Sequence, residues 1–135
     1  MTLTVIQDPR LLAWANARLD AHFEPERCRW VAGFEDAGPI FVVVYLRFSP
    51  RNVELALATD GTKRWATRRA LRLIFSQPFK TWKLARCTFV VEGDNVKSID
   101  MLDRLGAVRE GCIRCAFAHS DGYVYGMLAK ECKWT

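Results

Sequence analysis

An α+β fold, a mostly antiparallel sheet flanked by helices, is predicted by three observations. Between Arg29 and Thr59, strand-like apolar runs follow one another across short turns, the pattern of an antiparallel meander. After Asp60 the apolar period changes from that of a strand to that of a helix, and it does so again after Asp94. The last third then carries a glycine stop and two more strands joined at Asp121-Gly122, a strong hairpin signal. In order the elements read β–α–β–β–β–α–β–α–β–β, as one domain over residues 1–135.

Residues 2–7 (TLTVIQ) alternate and give a short first strand. Asp8 before Pro9 is a capping and first-turn pair, opening a helix to about Phe23 with Leu12, Ala15 and Leu19 as its apolar stripe. Arg29–Glu35 is the next strand and Asp36–Pro39 a turn. Ile40–Phe48 (IFVVVYLRF) is too uniformly apolar for an edge and is expected at the centre of the sheet. Beyond the turn at Ser49–Asn52, Val53–Thr59 alternates. Glu54, Ala56 and Ala58 share one face, and Val53, Leu55 and Leu57 the other.

Asp60-Gly61-Thr62 then turns and caps a helix over Lys63–Phe75, with Ala66, Ala70, Leu73 and Ile74 inward, and Pro78 stops it. Ala85–Val91 (ARCTFVV) suits a buried strand. Asp94 or Asn95 caps the next helix, because a short side-chain oxygen accepts the first free backbone N–H groups. Ile99, Leu102 and Leu105 form its inner face, and Gly106 sits where a left-handed residue ends a helix. Strands over about Ala107–His119 and Tyr123–Lys133 close the chain.

The bulk properties narrow the classes. Half the residues are apolar and 26% charged, the balance of an ordinary globular protein. No apolar run approaches the roughly 20 residues needed to span a bilayer, so no membrane partner is expected. The N-terminus, MTLTVIQDP, lacks the regions of a signal peptide, and a cytoplasmic protein is the expectation. The five cysteines are then expected reduced. Cys112 and Cys115 form a CxxC, but inside a predicted strand residues three apart point to opposite faces. No second CxxC follows and Cys132 alone completes no site, so no metal centre is expected.

The net charge of +5 is concentrated at Lys63, Arg64, Arg68, Arg69 and Arg72. Such a cluster at a helix start can attract a polyanion, either nucleic acid or a nucleotide with several phosphates. Its only aromatic residue is Trp65 and it matches no nucleic-acid reading motif, which argues against nucleic acid. A solvated helix face is the plain alternative.

The most specific stretch is Asn95 to Arg114, NVKSIDMLDRLGAVREGCIR. Any strand–helix–strand connection would supply its periodicity. In addition, the spacing of Asn95, Ser98, Leu102, Leu105, Gly106, Glu110 and Gly111 resembles that near the C-terminus of the GNAT (Gcn5-related) acyl-CoA N-acyltransferases, most closely their RimJ/RimL-like branch. The element order resembles the GNAT fold over nearly the whole chain, with the usual pair of N-terminal helices reduced to about one. The resemblance implies a splayed sheet, in which the central strand and the strand after Phe79 part to admit a pantetheine arm. It implies acetyl-CoA as acyl-donor cosubstrate and a primary amine as acceptor: a protein N-terminus, a lysine or a small amine. A homodimer is compatible with it.

Site residues follow from the same resemblance. Asn95 and Ser98 would face the thioester end of coenzyme A, and Leu57, Ala58 and Thr59 would pair their backbone with the pantetheine amides. The family's pyrophosphate loop, Q/R-x-x-G-x-G/A, corresponds to Gly61-Thr62-Lys63-Arg64-Trp65-Ala66 followed by Thr67. Thr62, Lys63, Arg64, Trp65, Ala66 and Thr67 are therefore the expected cofactor contacts. Two positions depart from the pattern: Gly61 stands where Gln or Arg is usual, and Arg64 replaces a glycine. If that glycine's positive φ is kept, Arg64 is strained by roughly 1 kcal/mol or more. If the position is ordinary helix, its guanidinium can pair with phosphate.

Acyl transfer to an amine needs a proton acceptor, donors to the oxyanion and a group to protonate the thiolate. Many GNAT proteins place a Tyr four residues before the glycine that ends the last helix; here that position is Leu102. Ser98 is then the candidate to protonate the thiolate, its other reading being a helix-start hydrogen bond. Glu54 is the first candidate base, unless its face is solvated, and Glu92 the second, acting through a water. Glu110, in the E-G-x-x-R pattern with Gly111 and Arg114, reads as structural or substrate-facing. His22 and His119 lie away from the expected cleft. A second reading is a GNAT-fold protein without catalysis, acting as a binding or structural component as some short phage-type members do. Arg64, the missing Tyr and the reduced helical region favour it.

Overall fold

The computed structural model describes residues 1–135. The elements are β1 (Thr2–Thr4), α1 (Pro9–Leu19), β2 (Arg29–Glu35), β3 (Gly38–Leu46), β4 (Asn52–Thr59), α2 (Arg68–Ser76), β5 (Arg86–Glu92), α3 (Val96–Leu105), β6 (Val108–Ile113) and β7 (Gly122–Leu128). The seven strands form one sheet in the order β1-β2-β3-β4-β5-β7-β6, antiparallel at every joint except β4/β5. No helix is long and apolar enough to cross a membrane.

Alternation sends the strand side chains to two cores. On one face Val31, Val43, Tyr45, Val53, Leu55, Cys87 and Met127 pack beneath Ala70, Leu71, Ile74 and Phe75 of α2. The Tyr45 hydroxyl, fully buried, donates to Ile74 O at 2.6 Å, and burial pushes its pKa well up. On the other face Ala32, Val42, Val44, Leu46 and Ala58 meet Leu12 and Ala15 of α1. Asp8 caps α1 by accepting from Arg10 N at 2.9 Å, and Asp20 ends it at φ 50.

The single parallel joint shapes the site. β4 and β5 pair only at Asn52↔Arg86, Val53↔Cys87 and Glu54↔Thr88, then part. Beyond that point β4 stays with β3 as far as Thr59, and β5 with β7 as far as Glu92. The sheet therefore forks. Leu55, Leu57 and Phe89 fill the fork on the α2 side with Met101 and Leu105 of α3, leaving a hollow of about 30 Å³, room for roughly one water.

Several expectations are corrected. The strand beside β5 is β4, the middle of the seven, whereas Ile40–Phe48 supplies the strand one place further out. The helix after Asp60 starts at Arg68 with Thr67 as its cap, because Asp60, Thr62 and Arg64 bond among themselves and hold 60–66 as a loop. Pro78 does not stop the chain's winding. It passes through one wide turn, Gln77–Thr81, in which Trp82 N reaches back to Gln77 O at 2.9 Å and no bond from residue 78 is needed. The last two strands are shorter than their apolar runs, and β1 ends at Thr4. Cys115 lies beyond β6, at φ 55, with its N–H on Asp121 Oδ1, so the two cysteines of the CxxC do not share a strand. No group of three or more His, Cys, Asp or Glu side chains is arranged to hold a metal.

Candidate active site

The fork places backbone before side chains. The edge of β4 beyond Glu54 and the edge of β5 beyond Thr88 face each other without strand partners. They offer N–H and C=O groups to an extended amide-bearing chain, as an open sheet edge does. Leu57, Ala58 and Thr59 lie on that β4 edge. Leu57 turns its side chain into the α2-side hollow, while Ala58 is buried against α1.

At the end of β4 the loop is organised by Asp60. Its Oδ1 accepts from the Thr62 hydroxyl at 2.6 Å and Thr62 N at 2.9 Å, and its Oδ2 from the Arg64 guanidinium at 2.7 Å. These bonds from Thr62, then Arg64, lower the Asp60 pKa to about 2. Arg64 also reaches Glu35 at 3.4 Å. Its backbone φ is not positive, so the loss of the family's glycine costs no left-handed strain; Gly61, at φ 92, makes the turn instead. The guanidinium expected to pair with phosphate is thus engaged by two carboxylates. Trp65 has its ring in the core, 6% exposed and 6.4 Å from Phe41, so its backbone alone faces the loop exterior.

What remains for an anion is a row of amides. The N–H groups of Lys63, Trp65, Arg68 and Arg69 have no acceptor within the protein. They lie at and just before the start of α2, where the helix dipole adds to them. Thr67 Oγ1 accepts from Ala70 N at 3.1 Å, and Ala66 is exposed in the loop. Lys63, Arg68, Arg69 and Arg72 are exposed and form no ion pair. The fit is therefore that of backbone amides with free cations around them, the donor set a pyrophosphate takes. The Asp60 bonds are expected to persist in acid. By NMR titration Asp60 should ionise near pH 2, and Thr62→Ala should move it toward an ordinary aspartate. Since the folded pKa is depressed, its contribution to stability is full above about pH 4 and is lost as pH falls through about 2.

On the α3 side of the fork, Asn95 caps the helix by accepting from Ser98 N at 3.1 Å, while Asn95 N donates to Glu92 O at 3.0 Å. The Ser98 hydroxyl has no protein partner and is half-exposed. Leu102 is buried against Val91, Ala107 and Tyr125, closing the position where a tyrosine would stand.

On the α1 side lies Glu54, in the last β4/β5 pair before the fork opens. Its side chain is 19% exposed and carries an ion pair from Arg47. The face is neither fully solvated nor closed. Beside Glu54 is a polar network that sequence inspection did not assemble. Thr88 Oγ1 donates to Asn52 Oδ1 at 2.7 Å; Arg86 reaches Asn52 Oδ1 at 3.2 Å and Glu110 Oε1 at 2.6 Å. Glu110 extends from a bulge in β6 across Gly126, where any Cβ would collide with its carboxylate and with Arg86. Polar residues at every second position, Asn52/Glu54 and Arg86/Thr88, were the signal available beforehand. Glu92 is exposed at the end of β5, on the same face as Thr88. His22 lines a cavity that also touches Arg47, while His119 sits exposed in the β6–β7 loop.

Glu54 and Ser98 thus flank the fork from opposite faces of the sheet, with no hydrogen bond between them.

No protein-family model matches the chain, and no curated protein does by sequence. Solved structures match by shape. A variant of the spermidine N-acetyltransferase SpeG from Vibrio cholerae superposes with a TM-score of 0.79 over 96% of each chain, at 15% identity. The ribosomal-protein-S5-alanine acetyltransferase of Vibrio fischeri gives 0.66 over 94% of this chain and 72% of that one, at 20% identity. A third structure, of a protein with a proposed acetyltransferase activity, gives 0.67 at 27% identity over 80% of this chain and 60% of that one. The forked sheet and this agreement of shape give the chain the GNAT fold.

Proposed function

We propose that the protein is an acyl-CoA-dependent N-acetyltransferase, moving an acetyl group from acetyl-CoA to a primary amine. The observation that carries this reading is the β4/β5 fork, with free strand edges inside it, a row of amides without protein acceptors at one end and a carboxylate and a hydroxyl on its two sides. The free amides of Lys63, Trp65, Arg68 and Arg69 would hold the pyrophosphate, with Thr62 and Thr67 fixing the loop. Leu57–Thr59 would pair with the pantetheine, and Asn95 would hold the turn that presents Ser98.

Glu54 would take the ammonium proton from the acceptor side, and Ser98 would protonate the departing thiolate. Glu92, one turn of the chain from Asn95, is the alternative base through a water. The acceptor amine is a protein N-terminus, a lysine or a small amine; the two named neighbours act on spermidine and on an alanine of a ribosomal protein. Thiol release from acetyl-CoA on adding a panel of such amines tests the reading, with the acetylated product identified by mass. A second reading, a GNAT fold retained for binding or assembly, draws on Arg64 being held by Asp60 and Glu35 and on Leu102 filling the tyrosine position. Release with no amine of the panel, together with stable assembly with another protein, would favour it.

A further inference from the structure

Beside Glu54 the structure carries a strained residue, an exchangeable ion pair and a cavity. Arg47 follows β3 at φ 52, a left-handed conformation unusual for a residue with a Cβ. Its guanidinium meets the Glu54 carboxylate although the arginine side chain is 69% exposed and the glutamate only 19%. Arg47 also lines an open cavity of about 530 Å³ between the end of α1 and the end of β3. Phe23, Leu46 and Phe48 supply its apolar wall, and Phe48 is steadied by Trp82 at 5.3 Å. Strained backbone concentrates where a neighbouring group is held for use.

We infer that Arg47 is a displaceable counter-ion for Glu54, and that the cavity takes an aliphatic primary amine whose ammonium exchanges with the guanidinium. The inference rests on the reading of Glu54 as the proton acceptor. A half-buried carboxylate needs a cation beside it, and an exposed arginine can leave at little cost. The exchange changes the chemistry. A guanidinium cannot be deprotonated in a protein, so the Arg47–Glu54 pair is inert. An ammonium in the same place can pass one proton to the Glu54 carboxylate, which becomes the neutral acid, and the nitrogen lone pair is then free to attack the acyl carbon. The alkyl stem would lie along Phe23, Leu46 and Phe48. Arg47 is thus a positioning residue that keeps Glu54 paired until a charged, aliphatic acceptor replaces it, and the Glu54 carboxylate supplies the preference for charge.

The test compares wild type with Arg47→Gly, which accepts the left-handed backbone without strain, and with Arg47→Lys. n-Butylamine and n-butanol are titrated by NMR, and n-butylamine is assayed as acceptor. Arg47→Gly is expected to bind n-butylamine about fivefold more tightly, the upper worth of an exposed ion pair, with n-butanol unchanged. Arg47→Lys, which keeps a cation on Glu54, should bind n-butylamine as weakly as wild type, and adding Glu54→Gln should abolish the gain. In turnover KM should fall by the same factor while kcat holds. Unchanged or weaker amine binding in Arg47→Gly, or an equal gain for n-butanol, overturns the inference. Turnover with an unaltered KM overturns it while leaving the acetyltransferase reading intact. A gain in binding without turnover in any variant supports the exchange and sinks that reading.

Discussion

Glu54→Gln is expected to lower kcat for amine acetylation by about a hundredfold to ten-thousandfold, the range that a positioned proton acceptor contributes. The substitution keeps size and hydrogen-bonding oxygen but cannot take the ammonium proton. Its effect on folding should be small, because it gives up only one ion pair to a mostly exposed arginine. Acetyl-CoA binding should also be unchanged, since Glu54 lies on the α1 face and the amide row lies at the start of α2. The measurement is steady-state thiol release with a saturating amine, alongside the melting temperature. A kcat within threefold of wild type would remove Glu54 from the chemistry and turn attention to Glu92.

Trp65→Ala is expected to cost about 3–5 kcal/mol of stability, as large-to-small changes of buried aromatics do. Its ring is 6% exposed and packs against Phe41, Leu71 and Leu105 at the head of the fork. For a domain of this size that corresponds to a drop in melting temperature of roughly 10 °C or more. The same ring anchors the loop carrying the Lys63 and Trp65 amides, so any ligand-induced stabilisation should shrink with it. Trp65→Phe, which keeps an aromatic ring in the site, should recover most of both effects. A melting temperature within a few degrees of wild type for Trp65→Ala would show that the ring is not part of the core.

The fold was legible in the chain because each element carries its own local physics. Asp8-Pro9, Asn95 with its cap to Ser98 N, and Gly106 at φ 94 are stop and start signals that act within a few residues. The element order followed from them. Boundaries failed where local hydrogen bonds compete with periodicity. Lys63–Thr67 has a helical spacing of residues, yet Thr62 and Arg64 both turn to Asp60, and the helix waits for Thr67. The run after Ile113 is apolar enough for a strand, but Asp121 draws in the Cys115 amide and bends the chain away.

The candidate site was legible only in part, for a related reason. Asn95, Ser98 and Glu54 stand in local patterns that can be read one element at a time. The Asn52–Thr88–Arg86–Glu110 network depends on the parallel register of β4 with β5 and on the missing side chain at Gly126. Nothing in the neighbouring sequence reports that register. Arg64 shows the same limit. Whether it was strained, free or neutralised depended on Glu35, which lies in another strand as well as on Asp60 nearby.

The most direct measurement is thermal unfolding with and without acetyl-CoA, with free and desulfo-coenzyme A as controls. Ligand at 100 times its dissociation constant stabilises a protein by about 2.7 kcal/mol, several degrees in a domain of this length. The fork and the amide row predict such a shift, and its loss when the amides at the start of α2 are disturbed, as by Thr67→Pro. No shift at millimolar acetyl-CoA would contradict the account, leaving a GNAT fold whose fork serves another purpose.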